Sequence, residues 1–182
     1  MALPLCAAAA ALLLIALRAR ELLFRAALDG PAFARELKIL LGTGQDQAAR
    51  ELAQRLRPAW AAELAARALA TRGESEEQRY ALDEAWAELE LAAQRGLLAL
   101  RSLGRLELPL ALAIAIVEIG SGFGAASADR GLAASHAIGR GLFAVSVGMA
   151  ASIACQVGYG VLARAAKQRL AEARSASDAL SG

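Results

Sequence analysis

Apolar residues along the chain gather into three long runs, separated by one extended mixed segment. The longest is charge-free from 141 to 163, GLFAVSVGMAASIACQVGYGVLA, 23 residues in all. That length spans a hydrocarbon core as a helix, so a transmembrane helix is expected at 140–163. The run from 108 to 127, LPLALAIAIVEIGSGFGAAS, has comparable length and is broken by Glu118. It reads as a second span, 107–127, whose acid turns toward the bundle interior. The opening run, residues 2–17, holds 16 uncharged residues before Arg18 and Arg20. No basic stretch precedes it and no small-x-small site precedes Arg18, so a retained helix over 1–18 is expected rather than a cleaved signal.

Between the first two spans, residues 19–106 are expected to form a helical region. Asp29-Gly30-Pro31 predicts a turn and a helix start, and Gly42-Thr43-Gly44 a stop. Asp46 is expected to cap the following helix, in which Leu52, Leu56, Leu64, Ala68 and Leu69 recur at helical spacing. Pro58 marks either a kink or a restart. Residues 76–106 are expected to form one long helix that runs across Pro109 into the second span. Glu84, Glu88 and Glu90 give it an acidic flank. A short connection at 128–139 and a basic tail at 164–182 complete an all-α, polytopic membrane organisation.

Composition agrees with this division. The chain is 57% hydrophobic but only 4% aromatic, with a mean hydropathy of +0.41, which excludes a disordered chain. Two cysteines, Cys6 and Cys155, both in apolar runs, exclude a disulfide scaffold. Fourteen basic and fourteen acidic residues balance between Arg18 and Glu107, whereas residues 108–163 hold four charges. Basic residues orient membrane helices. Arg18, Arg20 and Arg25 follow the first span, Arg95, Arg101 and Arg105 precede the second, and Arg164, Lys167, Arg169 and Arg174 follow the third. Three spans put all these clusters on one side. The N-terminus is then expected outside and the middle region and tail in the cytoplasm. A slight basic excess that orientation accounts for gives no support to nucleic-acid binding.

Catalytic and metal-binding signatures are missing from the sequence. His136 is the single histidine, no CxxC or HExxH occurs, and Gly42-Thr43-Gly44 lacks the Gly-Lys-Ser/Thr of a P-loop. No enzyme activity, cofactor or metal is expected. The glycines of Gly120-Ser121-Gly122-Phe123-Gly124 suit close helix packing or a helix end. In the third span Gly141, Ala144, Gly148, Ala151, Ser152, Cys155 and Gly158 recur three or four apart, a face that lets helices approach closely. Glu118 stands out as an acid within a span: it pairs, lines a polar path or binds a cation, or it is an anchor salt-bridged to Arg140.

This order of parts resembles the MotA/TolQ/ExbB proton-channel family, in particular its short ExbB/TolQ branch. Residues 33–53, FARELKILLGTGQDQAARELA, are similar to the family's cytoplasmic segment, where a helix ends at a glycine turn. The most specific likeness is at 137–162, where Ile138, Leu142, Ala144, Gly148, Ala151, Ile153 and Tyr159 fall on matching positions. The second span corresponds more loosely, through Gly120. The resemblance implies a homo-pentameric ring in the bacterial inner membrane, enclosing the single helices of an ExbD/TolR-like partner and conducting protons with it. It also implies a pore-facing threonine in each of the last two spans. Val145, beside Ser146, stands at one position; Ile116 or Val117, followed by Glu118, stands at the other. Arg140 replaces the family's membrane-border acid, and Ala154 its helix-bending proline. Proton-path or pore-lining residues are therefore expected among Glu118, Val117, Val145, Ser146 and Arg140, and helix-packing residues at Gly120, Gly141, Ala144, Gly148, Ala151 and Ser152. A valine cannot relay a proton, so a ring that does not conduct, a scaffold or accessory subunit, is the second expectation.

Overall fold

The computed structural model describes residues 2–25, 28–71, 75–124 and 130–181, which are helical throughout apart from short turns. In order they form α1 (Ala2–Ala19), a π-helical turn (Arg20–Arg25), α2 (Gly30–Gly42), α3 (Asp46–Arg55), α4 (Trp60–Ala70), α5 (Ser75–Gln94), α6 (Leu97–Gly124) and α7 (Arg130–Ser181). Two compact units result. One gathers α1 up to Leu17 with the stretch from Gly96 to Val161, and the other Arg18–Arg95 with α7 from Leu162 onward.

In the second unit the start of α2 follows from its sequence. The Asp29 side chain accepts a hydrogen bond from the Ala32 N–H at 3.1 Å, and Pro31 occupies the first turn, where its missing donor costs nothing. Gly44 adopts φ +72° just after the helix end, a conformation that glycine tolerates best. Asp46 proves to be the first residue of α3 rather than its cap; Gln45 holds the cap position without a side-chain bond. A carboxylate in the first turn still faces the positive end of the helix dipole. Pro58 lies in the break between α3 and α4, so the helix restarts rather than kinks. Leu37, Leu64 and Leu69 are fully buried, with Phe33, Leu52 and Trp60 closely enclosed. Each large apolar side chain so buried contributes about 1.5–3 kcal/mol.

Residues 76–106, expected as one helix, divide at Gly96, whose φ of +73° ends α5 and lets α6 begin at Leu97. Across Pro109 α6 does continue, as the pattern of apolar residues predicts. The connection expected at 128–139 is already helical from Arg130; residues 125–129 lie outside the described ones. The basic segment from Arg164 continues α7 instead of trailing as a tail, and it buries Ala166, Ala173 and Ala176. There Arg169 grips both Glu172 oxygens, at 2.8 and 2.9 Å, and donates to the Leu22 carbonyl at 3.3 Å. A Cβ on Gly30 would come within 2.6 Å of the Glu172 Cβ, so α2 and α7 meet at a residue that must stay small.

Two helical stretches, Arg79–Gly124 and Gly131–Leu180, are long and apolar enough to cross a membrane. Within their most apolar windows only 17% and 33% of residues are buried. The core helix of a soluble protein would be mostly covered.

Candidate functional site

In the first unit α6 and α7 form an antiparallel pair whose register can be read from its glycines. A Cβ on Gly122 would collide with that of Ala137, and one on Gly148 with that of Ala111. One on Gly141 would stand 3.0 Å from Ile119, and one on Gly104 3.0 Å from the Cys155 Cβ. The paired numbers descend on one helix as they rise on the other. Each close approach places a glycine of one helix against the side chain of its partner. Such small-residue contacts bring backbones together and gain dispersion energy without needing a hydrophobic driving force. Ile15 of α1 joins the unit at Gly158, where a Cβ would stand 3.0 Å from it.

The packing residues expected from the sequence fall into two groups. Gly141, Ala144, Gly148, Ala151 and Ser152 are all buried in this pair. Their small face is therefore occupied by α6 of the same chain. Gly120 points away, with nothing within 4 Å of a Cβ added to it, and Gly122 makes the close approach at that end of α6. Large apolar residues cover the outward faces: Leu106, Ile116, Val117 and Phe123 on α6, and Leu142, Ile153, Val157 and Val161 on α7, each half or more exposed.

Glu118 and Arg140 meet across the pair as an ion pair, with Arg140 Nε 3.2 Å from Glu118 Oε2. This matches the anchor alternative for Glu118. Val117 is 70% exposed, Val145 is half-buried and Ser146 is exposed. Ser146 donates its hydroxyl proton back to the Leu142 carbonyl at 2.9 Å, so its donor is used within its own helix turn.

A different polar cluster lies in the seam. Glu107, which the sequence places at the edge of a span, is 96% buried, its exposure being 4%. It occupies the buried stripe of α6 between Gly104 and Ala111. One turn before it, Ser152 of α7 donates to the Gly104 carbonyl at 2.6 Å, and Gln156 Nε2 donates to the Ser152 Oγ at 3.3 Å. Cys155, fully buried, packs against Gly104, one turn before Glu107. Glu107 Oε1 has no hydrogen-bond partner. The signal that could have found this residue is the spacing Gly104, Glu107, Ala111, Ala115, one stripe of small residues with an acid in it.

Among the described residues no three His, Cys, Asp or Glu side chains converge as a metal site. No known protein family matches the chain, and neither a curated protein nor a solved structure is detectably similar to it.

Proposed function

We propose that the chain is a multi-pass membrane subunit that assembles as a ring in an ion-driven complex of the ExbB/TolQ kind, conducting protons with an ExbD/TolR-like single-span partner. The observation that carries this reading is the division of labour in the α6–α7 pair. Small residues meet inside it, while Ile116, Val117, Leu142 and Ile153 face outward, where lipid or a neighbouring copy can cover them. α1, with Leu12, Leu13 and Leu17 exposed, supplies the third span of this reading. The basic clusters around Arg18, Arg101 and Arg164 orient the N-terminus outside and the Arg18–Arg95 unit in the cytoplasm of a bacterial cell. The test is proton uptake into proteoliposomes holding the chain co-expressed with an ExbD/TolR-like protein. Uptake above that of empty vesicles supports conduction.

A second reading, the ring as a non-conducting scaffold, draws on the state of the expected pore residues. Glu118 is neutralised by Arg140, Ser146 is bonded to its own helix, and Val117 and Val145 offer no proton. Assembly without any uptake would favour it.

A further inference from the structure

We propose that Glu107 is a proton-binding site within the α6–α7 seam, and that its carboxyl, rather than that of Glu118, is the group that takes up and releases protons as the complex works. This rests on the membrane reading above and names the acting residue within it. Four observations carry it.

Burial comes first. A carboxyl that is 96% enclosed needs a reason to be there, because an isolated buried carboxylate is costly and must find a proton, a counter-charge or hydrogen bonds. Among the described residues Glu107 has no cationic partner, and its Oε1 is unbonded. Glu118 stands in contrast, held by Arg140 at 3.2 Å.

Position comes second. Along α7 the seam opposite Glu107 runs from Gly148 to Cys155, around the midpoint of the charge-free stretch 141–163. Along α6 it follows Arg101 and Arg105, both exposed, whose long side chains can reach toward headgroups. Glu107 thus stands level with the middle of the charge-free stretch of α7, two residues beyond Arg105 on its own helix.

The third observation concerns what faces it. On α7 the polar residues of the seam are Ser152, Gln156 and Cys155, which gather at Gly104 one turn before Glu107, and no charged residue occurs on that helix between Arg140 and Arg164. Arg101 is turned toward the Tyr159 ring, 6.0 Å from its centroid. α1 meets the pair through Ile15 and carries one charged residue, Arg18, in its last turn. Cys155, buried against Gly104, is a titratable group of the same seam. The proton exchanged is that of the Glu107 carboxyl itself.

Fourth, the surroundings can transmit a change. Removing a proton here puts a charge between two backbones packed at glycine distance. Gly148 and Gly104 flank the site on opposite helices and leave no slack. An added charge must be met by water or by separation of the helices.

The test uses infrared difference spectroscopy of the full chain in lipid vesicles, wild type against Glu107→Gln. A carboxylic-acid carbonyl band absent from Glu107→Gln, converting reversibly to carboxylate bands as pH rises from about 5 to about 9, is expected. A band that stays protonated across that range, or no acid band at all, overturns the proposal. Glu107→Gln fills the same space, so an unchanged helical circular-dichroism spectrum confirms that it folds. In the complex, Glu107→Gln lowers proton uptake about tenfold or more and Glu107→Asp restores part of it. Equal uptake, above that of empty vesicles, in wild type and Glu107→Gln also overturns the role. If wild type takes up no protons while the infrared band titrates, the conduction reading fails and the proton-binding site stands.

Discussion

Gly148 of α7 lies so close to Ala111 of α6 that a Cβ at 148 would occupy the space of the Ala111 methyl. The contact fixes the register of the pair, and through it the level at which Glu107 sits. Replacing Gly148 with Ala should destabilise the pair by about 1–3 kcal/mol, the usual cost of overpacking. Ala111→Gly in the same chain should recover most of that loss, because the methyl moves from one helix to the other. Gly120→Ala, at an open helical position, should not lower the melting temperature. Thermal unfolding of the four proteins in one detergent measures all three effects.

Arg140 and Glu118 form an ion pair with Arg140 about half exposed. Pairs of this exposure contribute about 0–1 kcal/mol. Glu118→Gln should thus change proton uptake by less than about twofold and stability by about that amount. Loss of all uptake in Glu118→Gln would return the relay role to Glu118.

Arg18 is buried, bridges to Glu21, and donates to the Arg95 carbonyl and, at 2.7 Å, to the Ala92 carbonyl. Its guanidinium thereby satisfies carbonyls at the C-terminal end of α5, which the turn at Gly96 leaves without helical donors. The sequence marks Arg18 as the end of a membrane run; the fold gives it a structural partner. Arg18→Lys should recover only part of the roughly 1–3 kcal/mol that Arg18→Ala costs, because one nitrogen cannot replace both the Nη2 bonds to the carbonyls and the Nη1 bond to Glu21. Limited proteolysis should show faster cleavage near Arg95 in both variants.

Glu63 accepts hydrogen bonds from Arg57 and from Arg67, which also reaches Glu88 of α5 at 2.6 Å. The bond from Arg57 is the main influence holding the Glu63 carboxyl below its ordinary range, against partial burial, which works the other way. A carboxyl whose pKa is lower in the folded state stabilises the fold above its unfolded value. That contribution disappears as pH falls through the folded value. Acid titration of the melting temperature should therefore show a smaller decline in Glu63→Gln than in wild type. An identical decline would mean that the Arg57–Glu63 contact is absent in solution.

Helical content and the two long apolar stretches were legible because each rests on runs of many residues. So was the start of α2, where Asp29 and Pro31 act locally. The break at Gly96 was harder to read, since one glycine inside a helical pattern is usually tolerated. Asp46 looked like a cap because its residue type suits that position, but the turn through Gly44 sets the helix start one residue earlier. The small stripe of α7 was visible at once. What lay against it was not, because stripe-to-stripe pairing depends on the register of two helices. For the same reason Glu118, conspicuous in an apolar run, drew attention from Glu107. Only with α6 and α7 aligned does Glu107 fall inside the seam.

Assembly of this chain as a ring in the membrane is tested by native mass spectrometry of the complex released from lipid vesicles. The expected particle holds five copies of the chain, together with a small single-span protein when an ExbD/TolR-like partner is co-expressed. A monomer or dimer that binds no such partner would contradict it.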